Sequence, residues 1–215
     1  MKETERVRKL CETALFVAIV FLGVFIIKFP GPFGYAHIGD SMIFLSVLML
    51  GGKRGAVAGG LGAAIADVVS GYTIWAVPTM ICKALMALVM GLIIKHHLAG
   101  LKGRALFIIA ALAGGVVQGF AYEFFWFVLF GKAAAIAAIP GLTFQTVSGI
   151  IIAFVISEAL QKTALRKNFV YTTDGKSVGR SRKMLDRIKS FKKIDAHSHI
   201  GVFGSWSNVS ITAEE

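Results

Sequence analysis

The stretch Leu50-Gly51-Gly52-Lys53-Arg54-Gly55 joins two apolar runs and places a pair of basic residues at the junction. The apolar run 41–50 comes directly before it, and the apolar run 56–69 follows it. Basic residues stay on the cytoplasmic side of a membrane, because moving them across is costly. The stretch is therefore predicted to form a cytoplasmic turn between two membrane-embedded helices.

The same pattern extends outward in both directions. The apolar runs are 10–27, 41–50, 56–69, 74–94, 105–130 and 140–160. Basic residues gather at the start, at every second gap and at the end: Lys2, Arg6, Arg8, Lys9, Lys53, Arg54, Lys95, Lys102, Arg104, Lys162, Arg166 and Lys167. The other gaps carry only Lys28 and Lys132. This distribution predicts an all-α integral membrane protein, a bundle of six transmembrane helices with both termini in the cytoplasm.

The composition supports a membrane protein and excludes several other classes. Hydrophobic residues make up 56% of the chain and charged residues 16%, whereas soluble domains have about 25% charged residues. The formal charge of +11 is interpreted as helix-end charge plus a basic tail, and not as a nucleic-acid surface. Cys11 and Cys82 form no CxxC pair, which argues against a disulfide framework or a zinc site. We expect two parts, a membrane domain over 1–165 and a basic cytoplasmic tail over 166–215.

Two of the six runs are shorter than the bilayer requires. A spanning helix needs about 20 residues, and the runs 41–50 and 56–69 fall below that length. Their outer ends must be supported by other parts of the protein or line a cavity. Short, glycine-interrupted segments of this kind indicate a binding site.

Polar residues within the runs gather in the outer half of the predicted membrane domain. Ionisable groups at such positions are costly and usually functional. We expect substrate-binding roles for His37, Asp40, Asp67, Thr79, Lys83, Gln118, Tyr122, Glu123, Trp126 and Gln145. Only Glu158 lies deep on the inner side, near cytoplasmic lysines. This distribution favours a cavity that opens only outward over an apolar floor.

Helical spacing arranges some of these candidates on common faces. Gln118, Tyr122 and Trp126 are four residues apart and share one face of a helix. Aromatic surfaces with a few polar groups suit a flat, vitamin-sized molecule. Tyr122 and Trp126 would stack on its ring, while Lys83 and Gln145 would hydrogen-bond its polar edge.

Three alternatives to these binding roles remain open at this stage. Asp67 could orient Lys83 for the ligand, or the two could form a purely structural ion pair with Glu123 as a third member. His37 could cap the loop before the second run. The two tryptophans at 75 and 126 could belong to an interface belt.

Small residues recur every four positions in three runs. Ala14 and Ala18 lie in the first run, the positions 56, 60 and 64 in the third, and the positions 111, 115 and 119 in the fifth. Small side chains let helices approach closely within lipid, where no hydrophobic effect drives their association. For the third and fifth runs we expect packing inside the bundle.

Several stretches together resemble a known family. They are Tyr35-Ala36-His37-Ile38-Gly39-Asp40-Ser41, Leu50-Gly51-Gly52-Lys53-Arg54-Gly55, Gly62-Ala63-Ala64-Ile65-Ala66-Asp67, Ser70-Gly71-Tyr72 and Ala14-Leu15-Phe16-Val17-Ala18. They resemble the S components, or substrate-binding membrane subunits, of energy-coupling factor (ECF) vitamin transporters. The similarity is greatest to the riboflavin-type branch and covers about residues 7–164.

The resemblance implies a function. It implies a six-helix bundle that captures a vitamin or vitamin precursor from outside a prokaryotic plasma membrane for ATP-driven uptake. It also implies docking onto a transmembrane coupling subunit that carries two cytosolic ATPases, with Ala14 and Ala18 on the docking face, and toppling of the S component within the membrane. No enzymatic activity and no cofactor are expected, and the chain has no Walker A motif of its own.

The end of the chain departs from this resemblance. Ile194-Asp195-Ala196-His197-Ser198-His199-Ile200-Gly201 resembles the first strand of the metal-dependent amidohydrolases, whose paired histidines hold a divalent metal. A complete barrel of that kind takes about 250 residues. His197 and His199 are therefore metal candidates only within a longer fusion. One alternative function is therefore a membrane anchor of a truncated amidohydrolase fusion. Another alternative, independent of the tail, is a stand-alone secondary transporter, although the inverted repeats expected of such a transporter are not found in the sequence.

Overall fold

The described part of the chain forms six α-helices, as the sequence predicts. The computed structural model describes residues 2–26, 28–31, 34–96 and 103–172. The helices are α1 Lys2–Phe25, α2 Gly39–Leu50, α3 Gly52–Val69, α4 Thr73–His96, α5 Gly103–Phe130 and α6 Lys132–Gln161, followed by a short 3₁₀ turn at Ala164–Asn168. Two four-residue strands, β1 Lys28–Gly31 and β2 Gly34–His37, pair between α1 and α2. The all-α membrane fold class is thus confirmed, with one small hairpin added to it.

The helix boundaries match the apolar runs closely, with two exceptions. The first helix begins at Lys2, eight residues before its run. The sixth helix begins at Lys132, eight residues before the predicted start of its run, and Pro140 lies inside it. The expectation that the sixth span starts at Pro140 is therefore wrong. Membrane helices tolerate an internal proline, because neighbouring groups can satisfy the freed backbone carbonyl. The gap between α5 and α6 therefore shrinks to the single residue Gly131.

The short helix α2 lies at the centre of the bundle. It packs against α1, α3, α4 and α6, and ten of its twelve residues are buried. At 1.5 Å per residue it is about 18 Å long, which is well short of a bilayer. The helix consequently begins inside the protein, and its first turn, which contains Asp40, is surrounded by other helices. This position brings a carboxylate into the interior.

Small residues mediate the close helix contacts, as expected for the third and fifth runs. A Cβ atom at Gly60 would lie 3.0 Å from the carbonyl oxygen of Met80 on α4, and one at Gly115 would overlap the methyl group of Thr146 on α6. These glycines let backbones approach closely. Gly119 is different, because no atom of the described residues lies within 4 Å of a Cβ built there.

Within the described ranges, three helices are long and apolar enough to cross a membrane by length and composition, namely α4, α5 and α6. Their outward-facing side chains are large and apolar. Phe120 is 74% exposed and Phe124 is 62% exposed on α5, and Ile151 is 59% exposed on α6. Such a surface suits lipid and would be unfavourable in water. The described part of the chain is therefore a membrane protein.

Ion pairs join the helices at the end opposite to Asp40. Arg54 on α3 contacts Glu12 on α1 at 3.0 Å, and Arg104 on α5 contacts Glu158 on α6 at 2.7 Å. The basic partner of Glu158 in this ion pair is Arg104. Most of the predicted basic tail, from residue 173 onward and including the histidines at 197 and 199, lies outside the described residues.

Candidate functional site

Four polar side chains from four different helices meet at the N-terminal end of α2. The Nζ atom of Lys83 on α4 lies 2.5 Å from Oδ1 of Asp40. Oδ2 of Asp40 accepts hydrogen bonds from Nε2 of Gln118 on α5, at 3.0 Å, and from Nε2 of Gln145 on α6, at 3.1 Å. Lys83 also donates to Oε1 of Gln118 at 3.1 Å. We call these four residues the Asp40 network.

The Asp40 network is almost completely shielded from solvent. Asp40, Lys83 and Gln118 have no exposed surface, and Gln145 is 5% exposed. A charge in such a place is tolerated only when it is paired and hydrogen-bonded. Asp40 meets that requirement with a cation and two amide donors. The network therefore fixes the relative positions of α2, α4, α5 and α6 at this level of the bundle.

The partner of Lys83 differs from the partner suggested by the sequence. Asp67 was the expected carboxylate, either as an orienting group or as a structural partner. In the structure the ion pair that is observed joins Lys83 to Asp40. Asp67 lies near the outer end of α3, where it is 6% exposed. Both aspartates lie near the outer end of the bundle. Asp40 reaches Lys83 because it lies in the first turn of α2, which packs at the centre of the bundle.

Two residues that support the network were not identified from the sequence. Thr146 on α6 accepts a hydrogen bond from Nε2 of Gln118 at 3.3 Å. A Cβ atom at Gly149 would lie 2.8 Å from Cβ of Asp40, so only glycine allows α6 to approach α2 this closely. Gly149 lies four residues after Gln145 and therefore shares a face of α6 with it. This spacing is the feature of the sequence that could have identified Gly149.

An aromatic cluster lies outward of the Asp40 network. It consists of Trp75 on α4 together with Tyr122, Trp126 and Phe130 on α5. The ring centroid of Trp75 is 4.6 Å from that of Trp126, 6.2 Å from that of Tyr122 and 5.8 Å from that of Phe130. These distances are typical of favourable aromatic pairs. Trp75, for which the sequence leaves a role in the membrane-interface belt open, is thus part of the cluster.

Tyr122 connects the cluster to the network. Nζ of Lys83 lies 5.2 Å from the centroid of the Tyr122 ring, within cation–π range. Thr79, one turn before Lys83 on the same face of α4, is 3% exposed. Gln118, Tyr122 and Trp126 follow one another along one face of α5, as their spacing requires. Polar groups therefore form the inner part of the site, and aromatic rings form the outer part.

The remaining predicted residues have distinct surroundings. His37 is 7% exposed, and its Nδ1 atom accepts a hydrogen bond from the backbone N–H of Gly39 at 3.1 Å, which fixes the start of α2. Glu123 has a buried Oε1 atom with no hydrogen-bond partner among the described residues. Ala14 and Ala18 are both exposed on α1. Within the described ranges, no group of three or more histidine, cysteine or acidic residues could hold a metal ion.

Comparisons with known proteins agree with this architecture. Residues 4–162 match the family described as ECF-type riboflavin transporter, S component. A protein from Pyrococcus woesei, described only as an uncharacterized protein in a gap 3' region, is 34% identical over 136 residues. That match covers 63% of this chain and 88% of the Pyrococcus protein. The chain therefore belongs to the family of ECF-type riboflavin transporter S components, and it is the substrate-binding subunit of such a transporter.

Proposed function

We propose that the chain captures riboflavin, or a closely related flat heterocycle, from outside the cell at the aromatic cluster. The observation that carries this proposal is the arrangement of the site, in which mutually contacting aromatic rings lie directly outward of the buried Asp40 network. Aromatic faces bind a planar ring, and a small number of fixed polar groups orient it. The Asp40 network would form the polar base of the site, and Trp75, Tyr122 and Trp126 would contact the ring.

A direct titration tests this proposal. The purified chain, in detergent or in nanodiscs, is titrated with riboflavin while its tryptophan fluorescence is recorded. Trp75 and Trp126 lie in the site, so bound flavin should quench their emission strongly. Saturable quenching with one binding site per chain is expected. The absence of saturable binding, with folded protein confirmed by circular dichroism, would contradict riboflavin as the ligand.

Replacing Trp126 by alanine should weaken riboflavin binding by tenfold or more. The substitution removes one aromatic stack, worth about 0.5–1.5 kcal/mol beyond area burial, together with the buried apolar surface itself. Every 1.4 kcal/mol corresponds to a factor of ten in affinity. Calorimetry on the folded variants measures the effect. Phe120→Ala is the matched control, because Phe120 lies on the same helix but is 74% exposed, and it should leave the affinity unchanged.

We further propose that this S component works with a transmembrane coupling subunit and two cytosolic ATPases in a prokaryotic plasma membrane. The family supports this assembly and implies that the chain is not itself an enzyme. Exposed Ala14 and Ala18 on α1 support a docking face for the coupling subunit. The basic segment 166–215 is proposed to be a cytoplasmic tail.

Labelling of single cysteines tests the proposed orientation. Lys53 and Lys132 lie at opposite ends of the bundle, and both are exposed. A membrane-impermeant thiol reagent on intact cells should label Lys132→Cys and not Lys53→Cys. The exposed native Cys11 is replaced by serine in both variants. Labelling at position 53 but not at position 132 would show that the topology is the reverse of the one proposed.

A further inference from the structure

The segment that follows α6 folds back onto the bundle and contacts α2. Phe169, directly after the short 3₁₀ turn, is 1% exposed and belongs to the hydrophobic core, and Tyr171 packs against that core. The backbone N–H groups of Val170 and Tyr171 both donate hydrogen bonds to the carbonyl oxygen of Leu48, each at 2.9 Å. These contacts hold residues 169–171, which we call the strap, against the last turn of α2.

The strap supplies hydrogen-bond donors to a buried helix end. The last four carbonyl groups of an α-helix have no partner within the helix. In α2 this end is shielded from solvent, with Leu48 1% exposed and Leu50 7% exposed. Arg54 supplies a further donor, since its Nε atom lies 3.1 Å from the carbonyl oxygen of Leu50, and its guanidinium group also pairs with Glu12 on α1. Buried carbonyl groups without donors cost stability, so the strap and Arg54 together hold the C-terminal end of α2.

The sides of α2 that face α3 and α6 pack against glycine. A Cβ atom at Gly59 on α3 would lie 2.7 Å from the side chain of Ile43, and one at Gly149 on α6 would lie 2.8 Å from Cβ of Asp40. Glycine adds no side chain to the ridges by which neighbouring helices interlock. These contacts permit close approach but do little to fix α2 along its own axis. That position is set instead by the two ends of the helix, at Asp40 and at the strap.

Helix α2 links these two ends as one stiff element. It is a continuous helix of twelve residues, about 18 Å long, with Asp40 in its first turn and Leu48 in its last. We propose that the strap sets the axial position of α2 and thereby holds Asp40 against Lys83, Gln118 and Gln145. Lifting the strap loosens the Asp40 network, so events at the proposed cytoplasmic end act on the ligand site. Only this last step, from the network to the ligand, rests on the proposed function.

Phe169→Ala tests the proposal without any ligand, with Cys82 as the reporter. Cys82 directly precedes Lys83 on α4 and has no exposed surface, and it is the only cysteine left in a Cys11→Ser parent. In this parent, Phe169→Ala should make Cys82 react with N-ethylmaleimide about tenfold faster, which is within the range typical of coupled sites. Phe16→Ala is the matched control, because it removes a buried ring, 7% exposed, from α1, which carries no residue of the Asp40 network. It should react at close to the parent rate, and equal rates in the two variants would overturn the proposal.

Two further variants separate the strap from a general loss of packing. Phe169→Leu retains an apolar side chain and should react at close to the parent rate. Val170→Pro removes one of the two N–H donors to Leu48, and its side chain is 39% exposed, so little packing is lost. Phe169 already has the extended backbone (φ −74°, ψ 131°) that residues before proline prefer. Val170→Pro should therefore accelerate the labelling of Cys82, and it decides the question if Phe169→Ala does not fold. A folded Val170→Pro variant that reacts at the parent rate would overturn the proposal.

The reverse effect is required as well, because coupling between two sites is reciprocal. Asp40→Asn combined with Lys83→Met removes the ion pair and should loosen the strap. The amide hydrogens of Val170 and Tyr171 should then exchange with solvent deuterium about tenfold faster, as measured by mass spectrometry, whereas Phe16→Ala should leave their exchange unchanged. Native exchange rates in the double variant would contradict the coupling. These measurements need no ligand, so a chain that does not bind riboflavin would contradict the proposed function and leave this inference standing.

Discussion

Replacing Lys83 by alanine is expected to be the most destabilising single change in the described part of the chain. It would leave Asp40 as a carboxylate with no exposed surface and no cation beside it. Breaking a buried ion pair by removing one partner typically costs about 3–5 kcal/mol, because the remaining charge is buried without compensation. Gln118 would also lose the donor that contacts its Oε1 atom.

Unfolding in increasing fractions of denaturing detergent measures this loss. Arg104→Ala is the matched control, because it breaks the Arg104–Glu158 ion pair, in which the arginine side chain is 65% exposed. Exposed ion pairs contribute about 0–1 kcal/mol, so the control should stay close to the native chain. A Lys83→Ala variant as stable as Arg104→Ala would show that the Asp40 network is not a structural centre of the bundle.

A double variant distinguishes charge burial from the loss of side-chain packing. Lys83→Met combined with Asp40→Asn removes both charges and retains most of the volume. This combination should be more stable than Lys83→Ala alone, because replacing an entire buried pair is often nearly neutral. If the network is also the polar base of the ligand site, the double variant should fold and yet bind riboflavin more weakly. Retained affinity would assign the network a structural role only.

The number and extent of the helices could be predicted from the sequence because charge and hydropathy act locally. Basic residues at alternate gaps identify the ends of α1 to α6, and apart from the starts of α1 and α6 the helices begin and end close to the apolar runs. The start of α6 could not be placed in this way. Whether Pro140 begins a helix or lies within one depends on groups outside the local sequence that satisfy the freed backbone carbonyl.

The depth of the polar residues was also predictable, whereas their partners were not. Counting residues from a helix end gives height along the membrane normal but not which neighbour a side chain faces. Asp40 and Asp67 both lie at outer helix ends, and only the packing of α2 in the centre of the bundle brings Asp40 to Lys83. The contribution of Trp75 to the aromatic cluster likewise depends on the crossing of α4 and α5.

The sequence motif around Asp40 acquires a physical explanation from the structure. Gly39 is required because a Cβ there would collide with Val24 and His37. His37 orients the first turn of α2 through the backbone N–H of Gly39. Together these residues hold Asp40 at the point where Lys83, Gln118 and Gln145 converge. The stretch 35–41 that carries the family resemblance thus builds the centre of the polar network.

Replacing Ala18 by tryptophan is expected to abolish vitamin uptake by the assembled transporter while leaving riboflavin binding to the isolated chain intact. Ala18 and Ala14 are exposed and lie one turn apart on one face of α1. That face also carries Leu22, which is 47% exposed. A coupling subunit that docks here needs close backbone approach, and a bulky indole would prevent it. The Asp40 network and the aromatic cluster involve α2, α4, α5 and α6, so the substitution should not disturb them.

Uptake of labelled riboflavin by cells that express the complete transporter measures the first effect, and calorimetry on the purified subunit measures the second. Ala159→Trp provides the control, because Ala159 is also an exposed alanine but lies on α6. It should support uptake at close to the native rate. Equal losses of uptake and of binding in Ala18→Trp would mean that this face packs within the subunit. Normal uptake would place the docking surface on another helix, because a tryptophan at position 18 leaves no room for a second helix at this contact.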